Sequence, residues 1–212
     1  MSSADRLALY ASTIAFQWLL TLVTAWRARA RGLTWADLGL FHQGRAQILL
    51  AAFVGAATLG TLQWLNLRRM GRAKGKAPGF MRQLAIRIFP QSRKELGLYL
   101  LLSLTAGLCE EFLYRGFAMA ALTRLALPAW SVVLLSSLLF GLAHLYQGRG
   151  GFVSTLVIGT IFGSARIAYD ALAPEIAWHA AFDAVAGLAG PRYLLTRQSP
   201  SKEREIHSSV EM

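Results

Sequence analysis

Residues 95–115 read ELGLYLLLSLTAGLCEEFLYR, a run uncharged from Leu96 to Cys109 that ends in the adjacent pair Glu110 and Glu111, with Arg115 one helical turn further on. The apolar part is long enough to enter a bilayer as a helix. A charged side chain at bilayer depth costs about 2.5–3.5 kcal/mol on insertion scales, so a chain that keeps a glutamate pair there has a use for it. Two histidines repeat the pattern downstream, His144 in FGLAH and His179 in HAAFD, each inside another apolar stretch. Polar groups confined to three separate apolar segments read as a site assembled between helices inside a membrane.

The rest of the chain supports that class. Of 212 residues, 55% are hydrophobic, and the apolar residues come in blocks rather than with amphipathic spacing. Neither Leu7–Trp26 nor Ala46–Leu67 contains a charged residue. The expected fold is an all-α polytopic membrane protein, a bundle of about six transmembrane helices around a buried polar active site. The expected spans are Leu7–Trp26, Ala46–Leu67, a third from Ser92 towards Arg124, a fourth from Pro128, a fifth over Phe152–Tyr169 and a sixth from Pro174. A Ser92–Glu95 capping box starts the third, and a turn at Gly148–Gly151 precedes the fifth. Residues 1–94 form a two-span region with a basic connecting loop, 95–191 the catalytic core, and 192–212 a polar tail. The first apolar run lacks a clear cleavage site and reads as a retained span.

The net charge of +11 is not spread as a nucleic-acid footprint. Nine Lys and Arg fall between Arg68 and Lys94, beside the spans, which fits anionic lipid headgroups. The loop after the first span has four, Arg27, Arg29, Arg31 and Arg45, so the heavier side is expected to be cytoplasmic, with both termini there. Within the basic segment Phe80, Met81, Leu84, Ala85, Ile88 and Phe89 share one helical face, the pattern of a short helix lying on the membrane surface. Cys109 is the only cysteine, so it forms no intramolecular disulfide and reads as a small packing residue. Trp26, Trp64 and Tyr169 read as interfacial anchors, His42 and His207 as structural, and Asp170 and Glu175 as solvated beside a turn.

On a helix, residues four apart share a face and adjacent residues point about 100° apart. Glu111 and Arg115 are therefore expected to pair along their helix, leaving Glu110 to face the helices of His144 and His179. His179 and Asp183, also four apart, aim at one point. A desolvated carboxylate with two imidazoles suits hydrolysis, the carboxylate as general base and the imidazoles holding water or an oxyanion. The same three groups, Glu110, His144 and His179, are also a conceivable zinc ligand set.

Glu110-Glu111-Phe-Leu-Tyr-Arg115 resembles the EExxxR motif of the CPBP family of intramembrane proteases, which includes the CAAX-processing enzymes and bacterial relatives. Phe140-Gly-Leu-Ala-His144 is similar to the family's FxxxH motif, and His179-Ala-Ala-Phe-Asp183 to its third, a His followed by Asn or Asp four residues on. The resemblance covers about 95–190, with the motifs in the family's order. It implies a multi-pass protease, expected in a bacterial inner membrane, acting on membrane-associated peptides or proteins. By that resemblance Glu110 activates water, His144 helps to hold it, and His179 with residue 183 forms the oxyanion site. Glu111, Arg115 and Phe140 support them. No metal is expected to be required, because a zinc-bound nitrogen of His179 has no hydrogen to donate. Asp183, an acceptor only when ionised, is expected either to donate while protonated or to orient His179. A proton-coupled transporter and a non-catalytic adaptor of the same fold are the alternatives. The transporter calls for an inverted repeat, and the two halves show none.

Overall fold

The computed structural model describes residues 1–40, 44–72 and 79–195. His42, His207 and nearly all of the expected tail lie outside them, as do the side chains of Phe80 and Met81. The chain is an all-α membrane protein, with no strand among the described residues. Its helices are α1 (Ser3–Ala30), α2 (Arg45–Arg72), α3 (Gly79–Ile88), α4 (Arg93–Thr123), α5 (Ala129–Ala143), α6 (Gly148–Tyr169) and α7 (Ala173–Gly190). Of these, α1, α2, α4 and the stretch Leu145–Tyr169 are long and apolar enough to cross a bilayer. The fourth expected span is a shorter apolar helix, α5, of 15 residues. It ends one residue before His144, which places that histidine inside the bundle. The expected glycine turn at 148–151 is instead the first turn of α6, and the reversal is made by Leu145–Gln147.

Two N-termini are capped by serine side chains, the first by a full capping box and the second by only the Ser92 half of the expected one. Ser2 and Asp5 form a reciprocal capping box on α1. On α4 the Ser92 hydroxyl accepts from the Glu95 backbone N–H at 3.2 Å. The Glu95 carboxylate does not return to Ser92. It accepts from the Gln91 backbone at 2.7 Å and binds Arg6 at 2.8 and 3.1 Å, tying α1 to α4.

The helix α7 packs mainly on α2 and α4, α5 packs on α6, and α1 lies along α4. Two glycines set the spacing at the centre. A Cβ on Gly107 would sit 2.9 Å from the Ile176 carbonyl and 3.1 Å from the Ala180 methyl, so only glycine lets α4 and α7 approach this closely. A Cβ on Gly159 would meet Ser137 at 3.2 Å and Arg115 Nη2 at 3.1 Å, so the expected Gly159-xxx-Gly163 contact is present and joins α5 and α6. Cys109 is fully buried in this packing. Phe16, Leu49, Phe53 and Trp130 point outward, 64–74% exposed, as lipid-facing residues do. Leu84, Ala85 and Ile88 of α3, with Phe89 just after it, line a cavity inside the bundle, so the described part of this apolar face is turned towards protein.

Candidate active site

The glutamate pair sits at the end of the regular part of α4. From Phe112 to Ala118 the helix widens into a π-helical turn, a form concentrated at functional sites. The Ser136 hydroxyl from α5 donates to the Tyr114 carbonyl at 2.8 Å within that turn. No residue pattern announced the π turn.

Glu111 and Arg115 are both fully buried, and Arg115 Nη1 lies 3.0 Å from each Glu111 oxygen, as their spacing predicts. The guanidinium is further enclosed by aromatic faces, with its carbon 4.3 Å from the Phe140 ring centroid and 5.6 Å from that of Phe162. Phe140 also meets the His144 ring edge-on at 4.6 Å and the His179 ring at 6.0 Å. It therefore fixes the arginine and both imidazoles at once, which accounts physically for a phenylalanine one turn before His144.

Glu110 faces the other way, as expected. Its Oε2 is buried without a hydrogen-bond partner, 3.8 Å from His144 Nε2 and 3.9 Å from His179 Nε2. The far nitrogen of each ring is occupied. His144 Nδ1 lies 2.9 Å from the Phe140 carbonyl, which requires a proton on Nδ1 and leaves Nε2 of the neutral ring as an acceptor. His179 Nδ1 lies 2.7 Å from Glu111 Oε1. Asp183 Oδ2 stands 3.6 Å from His179 Nε2, on the cavity side. The nitrogen through which a carboxylate orients the ring is thus held by Glu111, from another helix. Spacing within α7 had pointed only to Asp183.

Three further groups were not singled out from the sequence. Gln17 of α1 donates to Glu110 Oε1 at 2.6 Å. Gln63 and Asn66 of α2 line both cavities beside the site. The available signal was an amide inside an otherwise uncharged span. Glu175 corrects an expectation outright. It is fully buried rather than solvated, and neither carboxylate oxygen has a hydrogen-bond partner. The turn before α7 folds inward, with the Leu172 N–H donating to the Gly39 carbonyl at 2.9 Å, and this carries Glu175 under the loop. Asp170, in the left-handed conformation (φ 48°), does face solvent and pairs with Arg166 at 2.7 Å.

Two cavities meet at the polar cluster. One, of about 360 Å³, is lined by α1, α3 and α4 residues including Gln17, Leu84, Ile88 and Ala106. The other, of about 620 Å³, runs along α6 past Arg149, Ser154 and Thr155. His144, His179 and Asp183 line both, so an extended chain crossing from one to the other passes the imidazoles.

Zinc ligated at roughly 2.0–2.2 Å holds its donors about 3.3–3.5 Å apart. The 3.8 and 3.9 Å separations here are wider, and among the described residues no three His, Cys, Asp or Glu side chains form a metal-binding group.

Residues 92–185 match the family model described as type II CAAX prenyl endopeptidase, Rce1-like. That segment holds all three motifs, and the resemblance drawn from them is borne out. The match implies a protease of a membrane-embedded family, in keeping with the long apolar helices. No curated protein and no solved structure matches the chain.

Proposed function

We propose, on the premise that residues 92–185 are of the CAAX-type membrane protease kind, that this chain is an intramembrane endopeptidase in which Glu110 activates water. The observation that carries the reading is the unpartnered Oε2 of Glu110, buried and facing both imidazole Nε2 atoms across 3.8–3.9 Å. A single water spans gaps of that size.

The water donates one hydrogen to Glu110 Oε2 and the other to His144 Nε2. As its oxygen attacks the substrate carbonyl, Glu110 takes up the proton. The carbonyl oxygen becomes an oxyanion, and His179 donates to it from Nε2. Since Nδ1 already donates to Glu111, this role has the ring carrying both protons. Glu111 and Asp183 supply the countercharge or, for a protonated Asp183, a second donor. When the tetrahedral intermediate collapses, Glu110 passes its proton to the departing amine. Every step uses groups of the chain itself and needs no metal.

Substrates are membrane-associated peptides or proteins whose extended segment crosses between the two cavities. The smaller cavity adjoins α3, at the end of the bundle that carries Arg68, Arg69, Arg72, Arg93 and Lys94. Entry is therefore from the face expected to be cytoplasmic. The test is turnover by purified protein in liposomes on a library of membrane-anchored peptides, prenylated CAAX peptides included, with Glu110→Gln as control. Cleavage lost in Glu110→Gln supports the reading. Cleavage unchanged in that variant overturns it.

A further inference from the structure

The family match begins at residue 92, yet the shortest hydrogen bond to Glu110 comes from α1, far outside it. Gln17 lies in the charge-free span Leu7–Trp26 and lines the smaller cavity. Its Nε2 donates to Glu110 Oε1 at 2.6 Å, while its own Oε1 is buried without a partner. An amide in this setting has two orientations. The opposite one would bring its oxygen against an ionised carboxylate, so the donating orientation is the one compatible with Glu110 as a base.

We propose that Gln17 is a positioning residue that holds Glu110 Oε1 and so turns Oε2 towards His144 and His179, making α1 part of the active site. The inference rests on Glu110 acting as the general base. A carboxylate has two nearly equivalent oxygens and rotates about its last bond. Anchoring one oxygen from the α1 side leaves only the other facing the imidazoles. Without the anchor, Glu110 samples rotamers in which Oε2 no longer meets a water held at His144. Gln17 is one of many residues lining the cavity, so the main effect of its loss falls on the step after binding.

The test uses the full chain in liposomes with Gln17→Met, which keeps length and flexibility but cannot donate, and Gln17→Glu, which places an acceptor against Glu110. A hydrogen bond to a charged group corresponds to roughly a 10- to 100-fold change. The expected result is a fall of that size in kcat for Gln17→Met with KM within about twofold of wild type, and a larger fall for Gln17→Glu. A second readout needs no substrate. Infrared difference spectra should contain a carboxyl band that Glu110→Gln removes, and Gln17→Met should shift it. Unchanged kcat, a raised KM with kcat kept, or an unshifted Glu110 band would each overturn the positioning role. An active Glu110→Gln enzyme would instead overturn the general-base reading, and this proposal with it.

Discussion

Replacing Arg115 by Met separates the structural half of the glutamate pair from the catalytic half. Methionine keeps most of the aliphatic stem and removes the guanidinium that lies against Phe140 and Phe162, and the charge with it. Glu111 is fully buried, and besides Arg115 it meets His179 Nδ1. Removing one member of a buried ion pair costs about 3–5 kcal/mol, because the remaining charge loses its counterion, and His179 beside Glu111 places the loss here towards the lower end of that range. Removing both charges with near-isosteric groups is close to neutral. The expected pattern is a loss of about 3–5 kcal/mol in reversible detergent unfolding for Arg115→Met, with at least half recovered in the double variant Arg115→Met/Glu111→Gln. A coupling of about 1.5 kcal/mol or more is within the range seen for contacting residues. The recovered double variant should still be slow, since the Glu111→Gln change takes away the negative charge behind His179. An Arg115→Met protein as stable as wild type, or a double variant no more stable than the single, would refute the ion-pair reasoning.

Glu110→Gln should abolish turnover while its unfolding free energy stays within about 1 kcal/mol of wild type or rises, as a buried carboxylate with one oxygen lacking a hydrogen-bond partner is replaced by a neutral amide. Gly107→Val should separate α4 from α7, with a loss of about 1–3 kcal/mol from overpacking and a sharp drop in kcat, read by unfolding and kinetics on one sample. Asp183→Asn should keep most activity, because an amide donates beside His179 Nε2, whereas Asp183→Ala should lose it; steady-state rates on one substrate check both. Chelation should leave the rate unchanged and elemental analysis should find well under one zinc per active chain. Inhibition reversed by stoichiometric zinc would move Glu110, His144 and His179 into ligand roles.

What the sequence determined by itself was whatever depends on local order along one helix. Uncharged runs of span length, the four-residue step from Glu111 to Arg115 and the opposite direction of Glu110 all follow from helical geometry, and all three appear in the structure. The family resemblance came from the same short-range patterns. What only the tertiary structure decided was which groups meet across helices. Gln17 reaches Glu110 from 93 residues away, and Glu111 rather than Asp183 holds His179 Nδ1 across 68. Glu175 looked solvated because it flanks a turn, but loop packing at Gly39 buried it. The physical reason is that helix periodicity fixes where a side chain points around its own axis and says nothing of what the neighbouring helix presents. That depends on helix depth and approach, set here by the short α5, the π turn and the missing Cβ of Gly107 and Gly159.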